Sequence, residues 1–466
     1  MRGRSKRRSS RREFFTSNRG RALMPQQAFI NAMLVSLDPP AISRGALIVR
    51  DGLIEQVGAE VKSPNGVDTI DCGGAVVLSG LVNGHTHLYS ALAVGMPPLP
   101  RPPRNFHEIL QLVWWRLDRA LDEESIEMSG AIGALDAIRC GTTTLIDHHA
   151  SPSFINGSLD ALAHGIARVG PRAVLCYETT DRHGQLGFEA GLAENRRYLQ
   201  ICHKRNDGRF AAMVGAHAAF TLSDPSLKAC VELAAEHDVG VHIHAAEDAC
   251  DDQICRDNHG APLVDRLRKS GLLDEELGVG PRSIVAHAIH LSVAQAGEIS
   301  SLVGAIAHNP RSNMNNHVGY APTAHLKRLQ LGTDGIGADM FTEARHAFFK
   351  SQDAGAGLSP GAIVGMLAQS ARTAGRCLGQ TLGRLEAGAV ADIVVTSYVP
   401  PTPVDAANLP GHIVFGIGPQ HVRHVLVDGR WVLRDGRFTE CDEAAIRESS
   451  QAVAGRMWQR MSSIAP

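Results

Sequence analysis

The chain of 466 residues is long enough for one large domain and a smaller companion. Its 44% hydrophobic and 20% charged residues suit a globular enzyme, and a net charge of -2 gives no field argument for binding nucleic acid. No apolar run reaches the ~18 residues of a membrane helix, and nine scattered cysteines without a Cys-x-x-Cys pair fit reduced thiols in the cytoplasm better than disulfides or a cysteine zinc site.

Residues 1–24 read as a basic, disordered tail: nine of the first 23 are Lys or Arg. Ser10-Arg11-Arg12-Glu13-Phe14-Phe15 has the look of a twin-arginine export motif, but no apolar stretch follows it. Residues 25–79 contain short strand-like runs from Phe29 to Leu37, Gly45 to Val49, Ile54 to Val57, Thr69 to Asp71 and Ala75 to Ser79. A matching block occupies 387–440, with an Asp428-Gly429 hairpin signal. The two blocks are expected to pair into one small β-sandwich domain. Residues 441–466 have helical apolar spacing.

Between them, residues 80–386 alternate short apolar runs with helical segments, the pattern of parallel βα units. Candidate strands end near Asn83, Ile146, Cys176, Gly215, Ile243, Ala286, Ala307 and Thr333. The expected fold is therefore α/β: a (β/α)₈ TIM barrel with the small domain built from both chain ends. In such a barrel the chemistry collects after the carboxyl ends of the strands.

Those positions carry metal-binding residue types. The first strand ends in His85-Thr86-His87, and alternate side chains of an extended chain share a face, so both imidazoles can reach one ion. The fifth ends in His242-Ile243-His244-Ala245-Ala246-Glu247. One of these histidines completes a three-imidazole set. His244 is the choice, with His242 expected in a lower layer of the barrel. Glu247 would stand beside the activated water as a proton carrier. The sixth ends in His287-Ala288-Ile289-His290, where His287 lies nearer the strand end. The eighth ends in Thr333-Asp334-Gly335, and Asp334 can both bind the ion and accept a proton from the nucleophile.

Read together, Gly80 to His87, Gly141 to Thr144, His244 to Glu247, Ala286-His287, His308 to Met314 and Gly332 to Gly335 resemble the amidohydrolase superfamily. The likeness is to its metal-dependent amino- and chlorohydrolase branch, which includes guanine and cytosine deaminases. It runs from about residue 28 to 440. Phe106 to Leu110, Trp114 to Asp118, Asp147 to Pro152 and Ala216 to Ser223 are most similar to the SsnA aminohydrolases, a family associated with selenium metabolism.

The resemblance implies that His85, His87, His244 and Asp334 are metal ligands. It implies that Glu247 relays a proton to the leaving amine and that His287 polarises the substrate or steadies the water. His217 matches a substrate-contacting position, and His148 and His149 are candidates to reach the pocket. Trp114 and Trp115 are expected in the core. Two-metal relatives bridge their ions with a lysine on the fourth strand. Here Phe210 to Gly215 has none, and Lys204 and Lys228 flank it, so a single ion is implied, zinc with iron(II) as the alternative.

The expected reaction is hydrolytic deamination of a small cyclic amidine. The alternatives are chloride or alkylamine hydrolysis at the same site, and a metal-binding accessory protein of selenium metabolism without turnover. The expected partners are a small-molecule substrate and, from the habit of the relatives, further copies of the chain, with no nucleic acid and no membrane.

Overall fold

The computed structural model describes residues 26–99 and 101–465; the basic tail read from residues 1–24 lies outside them. Five strands open the chain: β1 (Gln27–Leu37), β2 (Pro40–Arg50), β3 (Leu53–Gly58), β4 (Asp68–Asp71) and β5 (Val76–Ser79). Nine parallel strands follow: β6 (Leu81–Thr86), β7 (Thr142–His149), β8 (Arg172–Tyr177), β9 (Phe210–Ala212), β10 (Val214–Ala218), β11 (Val241–Ala245), β12 (Ile284–His287), β13 (Ala305–His308) and β14 (Leu329–Leu331). The chain closes with β15 (Ile393–Thr396), β16 (Val422–Val427), β17 (Arg430–Arg434), β18 (Arg437–Phe438) and the terminal helix Glu443–Ser463.

Strands from the two ends of the chain pair with one another. β5 runs antiparallel to β15, with Leu78 opposite Val394, and this seam joins the two blocks. The ladder is one mixed nine-stranded sheet in the order β18-β17-β16-β15-β5-β1-β2-β3, with β4 on β1, and not two separate sheets. The Asp428-Gly429 turn links β16 to β17 with φ of 54° and 70°, the left-handed pair a two-residue hairpin needs.

The parallel strands form two sheets, β6-β7-β8-β9 and β10-β11-β12-β13-β14. Their residues are buried throughout, as expected where helices cover a parallel sheet. Single parallel bridges, Thr86 to Asp334 and Thr179 to Ala216, touch one sheet to the other on both sides. Close approach there requires glycine: a Cβ on Gly215 would lie 2.1 Å from the Tyr177 carbonyl oxygen, and one on Gly332 2.7 Å from the His85 Cβ.

The helices between the strands begin and end on clear signals. Ser359 caps helix Pro360–Leu378, Pro360 takes its first turn, and Gly379 ends it at φ 65°. Among the described residues no helix is long and apolar enough to cross a membrane.

Arg172, at the start of β8, is buried and fastens the parallel strands to the terminal sheet. Its Nε and Nη2 donate to Asp392 at 2.8 and 3.1 Å, Nη2 also reaches Asp428 at 3.2 Å, and Nη1 donates to the Gly208 carbonyl at 2.5 Å. Removing one side of such a pair strands a buried charge. Asp392→Ala should therefore lower unfolding stability by about 3–5 kcal/mol, read as a lower urea midpoint; an unchanged midpoint would contradict this role.

Candidate metal centre and pocket

The ends of β6, β11, β12 and β14 bring His85, His87, His244, His287 and Asp334 to one place. Ligand atoms of His85, His87, His244 and Asp334 all lie within 4.8 Å of one another, and Glu247, His287 and Asp334 form an adjoining group. The backbone makes sharp turns to do this. Ala246, His287, Ala288 and Asp334 take φ of 54°, 74°, 51° and 54°, left-handed values that side chains other than glycine adopt only under constraint. The constraint is visible: the Asp334 N–H donates to the His85 carbonyl at 3.0 Å, and the Ala288 N–H to the Ala245 carbonyl at 3.0 Å.

The rings are fixed from behind. His87 Nδ1 donates to the His148 carbonyl and His244 Nδ1 to the His217 carbonyl, each at 2.6 Å. A carbonyl only accepts, so in the neutral rings the proton sits on Nδ1 and each Nε2 is left as a bare acceptor. These two Nε2 atoms are 3.1 Å apart, and Asp334 Oδ1 lies 3.0 Å from that of His87. His85 Nδ1 meets His242 Nε2 at 2.9 Å, while His85 Nε2 is buried without a hydrogen-bond partner, 3.6 Å from Asp334 Oδ1. Acceptors crowded this way repel unless a cation lies between them. Three imidazoles and a carboxylate are the donors of a borderline divalent ion, so the residues fit one.

The electrostatics agree. Burial pushes the His85 pKa down to about 3, and burial with the surrounding imidazoles holds His244 well below its usual value, which keeps both rings neutral. Burial also opposes charge on His87, but Asp334 and Glu178 prevail and raise it well above normal. Burial works against ionised Asp334 too, yet the His85 and His87 rings hold its carboxyl well below the carboxylate range. The spot attracts positive charge.

Glu247 and His287 stand on the other side of Asp334. His287 Nε2 is 3.4 Å from Glu247 Oε2 and 3.8 Å from Asp334 Oδ2. Burial, reinforced by the charge on Asp334, raises the Glu247 pKa well above that of a free carboxyl. The segment after β13, helix Pro310–Asn315, supports this side. Ser312 donates to Asp334 Oδ2 at 2.5 Å, His287 Nδ1 donates to Asn313 Oδ1 at 3.0 Å, and Asn316 donates to Glu247 at 3.4 Å.

A pocket opens over these groups. Its far wall is apolar, with Phe106, Leu110, Trp114, Trp115 and Phe220, and it carries Asp118, Glu178, Arg182, His217 and Asp251 as polar groups. Arg182 donates to Asp118 at 3.1 Å and lies over the Trp115 ring at 4.6 Å. Burial pushes the Asp118 pKa up to about 6, against the pull of Arg182.

Several expectations change here. Trp114 and Trp115, expected in the core, are partly buried against it and also line the cavity. His148, a substrate-contact candidate, is not among the lining residues; both its ring nitrogens face acceptors, Glu178 at 3.1 Å and the His242 carbonyl at 2.9 Å. His149 turns to Ser151 at 2.9 Å and His290 to the Val318 carbonyl at 2.7 Å. His217 does line the cavity, with Nδ1 on the Thr221 hydroxyl at 2.8 Å. Lys204 and Lys228 lie on helices Gly184–Arg205 and Asp224–Glu236, outside the lining.

Glu178, Asp118, Arg182 and Asp251 were missed. Glu178 directly follows β8, so the strand-end rule that found the histidines would have found it too.

The chain is similar to known proteins over most of its length. The chain is 30% identical over 433 residues to the 5′-deoxyadenosine deaminase of Methanothermobacter thermautotrophicus, covering 90% of this chain and 96% of that one. It is 29% identical over 436 residues to the 5-methylthioadenosine/S-adenosylhomocysteine deaminase of Desulforudis audaxviator, covering 89% and 95%. The crystal structure of a Xanthomonas campestris adenosine deaminase with bound zinc superposes with a TM-score of 0.79 at 22% identity, over 94% of this chain and 99% of that chain. The model of the amidohydrolase family matches residues 76–432, and the chain belongs to that family.

Proposed function

We propose that this metal-dependent hydrolase of carbon–nitrogen bonds in cyclic substrates deaminates the adenine ring of a nucleoside, with 5′-deoxyadenosine and its 5′-substituted analogues as the first candidates. The observation that carries the reading is the meeting of His85, His87, His244 and Asp334 around one point with Glu247 and His287 beside it. The relatives' activities direct it to adenine nucleosides.

The ion these four residues would hold is one divalent metal, with zinc favoured by the nitrogen-rich donor set. When bound it supplies Lewis acidity and a nucleophilic water at neutral pH. Water adds to the ring carbon bearing the amine, the carbon–nitrogen bond breaks, and ammonia leaves. Glu247 is the group that carries the proton to the departing nitrogen, and its buried carboxyl suits holding one. His287, oriented by Asn313, donates or accepts beside the reacting carbon. Asp334 keeps one oxygen toward the rings, while Ser312 occupies the other.

The cavity wall of Phe106, Trp114, Trp115 and Phe220 suits stacking against a flat base. Asp118 has a buried oxygen, and Arg182 a buried Nε, with no hydrogen-bond partner, and a sugar hydroxyl can satisfy both.

The reading includes the architecture around the site. The paired bridges between the two parallel sheets support their closure into an eight-stranded (β/α) barrel, with β9 and β10 as one interrupted strand, over roughly the expected 80–386. Phe29, Leu47, Ile54, Ile393 and Leu426, from distant strands of the nine-stranded sheet, share one apolar cluster, which supports its curling into the expected sandwich-like domain from residues 25–79 and 387–440.

Prolonged chelation should abolish ammonia release from 5′-deoxyadenosine, and zinc should restore it; full activity in metal-stripped protein contradicts the reading. Glu247→Gln should retain metal and lose about 10²–10⁴-fold in kcat, measured by loss of adenine absorbance; near-normal kcat removes Glu247 from the reaction. Asn313→Ala, which frees the His287 ring, should cost about 10–100-fold in kcat/KM, and unchanged kinetics would show that this ring needs no orientation. Metal-replete protein that releases ammonia from pterins or triazines but from no adenine nucleoside would overturn the substrate class.

A further inference from the structure

Behind the metal-facing rings sits a carboxylate that the catalytic scheme above leaves without a task. Glu178 is the first residue after β8, and its side chain is 2% exposed. Its backbone is held on both sides. Its N–H donates to the His149 carbonyl at 2.7 Å, and the next N–H, of Thr179, donates to the Gly215 carbonyl at 3.2 Å. The carboxylate therefore sits on rigid backbone and not on a free loop.

We propose that Glu178 is a positioning residue of the metal centre: wedged between the rings of His87, His148 and His217, it fixes the orientation of His87 and so tightens the hold on the ion. The proposal rests on the four-donor reading given above.

The contacts are specific. Glu178 Oε1 lies 3.1 Å from His87 Nδ1 and 3.1 Å from His148 Nδ1. Its Oε2 lies 3.8 Å from His217 Nε2. His87 Nδ1 thus faces two acceptors at once, the His148 carbonyl at 2.6 Å and this carboxylate. A carboxylate on the rear nitrogen of an imidazole ligand locks its rotation and strengthens electron donation from the front nitrogen.

The effect spreads through the frame. His148, held by Glu178 at one nitrogen and by the His242 carbonyl at the other, supplies the carbonyl that His87 uses. His217 supplies the carbonyl that His244 uses. Glu178 is thereby in contact with one ligand ring and with both residues whose backbones orient the ligand rings.

His87, His148, Glu178 and His244 also lie close enough together to hold an ion of their own. The hydrogen bonds speak against that use. The rear nitrogens of His87 and His244 and both nitrogens of His148 are committed to carbonyl or carboxylate acceptors. The cluster is a supporting frame for one ion and not a second site.

The test uses the full chain loaded with zinc, then with cobalt(II) in its place. Glu178→Gln keeps the shape and removes the charge. Chelator competition should show zinc affinity about 10–100-fold weaker than wild type, and the visible absorption of the cobalt form should change in position or intensity, a signature that a structural contact remote from the ion would not move. Should the glutamine variant not fold, Glu178→Asp, which keeps the charge and withdraws it by one methylene, is read the same way and should show the same two changes. Zinc affinity within twofold of wild type with an unaltered cobalt spectrum overturns the proposal, as does a second zinc per chain lost with Glu178. Wild-type protein that binds no zinc overturns the four-donor reading itself, a result distinct from equal binding by the two proteins.

Discussion

Two imidazole nitrogens and a carboxylate oxygen, all acceptors and all buried, point at one another across about 3 Å where His87, His244 and Asp334 meet. Carbonyl groups on the far side of both rings consume the only N–H a neutral imidazole has, so with both rings neutral the repulsion is relieved only by added positive charge, a proton on His87 Nε2 or a metal ion. In a low-dielectric interior that arrangement is costly without positive charge at its centre. The remainder of the site can be read as a consequence. Glu247 and His287 flank the same point, and the cavity opens directly over it.

Holding such a cluster takes a scaffold that does not relax. The parallel strands carry the residues to their carboxyl ends, and four of the residues there sit at positive φ, pinned by hydrogen bonds from neighbouring strands. Gly332 lets the last parallel strand press against His85, where any side chain would collide. The helix after β13 adds a second layer through Ser312 and Asn313. At the opposite end of the strands, buried Arg172 ties this core to the sheet made by the two chain termini. The candidate site and the Arg172 tie thus occupy opposite ends of the parallel strands, as is usual when catalytic groups ride on strand-to-helix loops.

Much of this was legible in the sequence. The strands were announced by short apolar runs between turn signals, and the Asp428-Gly429 hairpin by its dipeptide. That His85, His87, His244 and Asp334 come together, with His287 beside them, was readable because alternate side chains of an extended strand share a face and because His244, His287 and Asp334 lie at or just after the ends of other strands. What stayed hidden depends on distance and not on pattern. Nothing in the local sequence of Trp114 and Trp115 says that both line the cavity as well as pack against the core. The burial of His148 follows from Glu178 and the His242 carbonyl, which come from different strands. Asp118 and Arg182 become a pair only when the helical segments that follow β6 and β8 meet. Whether the terminal strands form one ladder or two is likewise a matter of long-range pairing.

The central claim is that one divalent ion lies among His85, His87, His244 and Asp334. Anomalous diffraction at the zinc edge from crystals of the zinc-loaded protein tests it most directly. A single strong peak within about 2.0–2.3 Å of the three Nε2 atoms and an Asp334 oxygen is the predicted result. A peak held by His148 and Glu178 instead, or none near these side chains in protein that carries zinc, would contradict it.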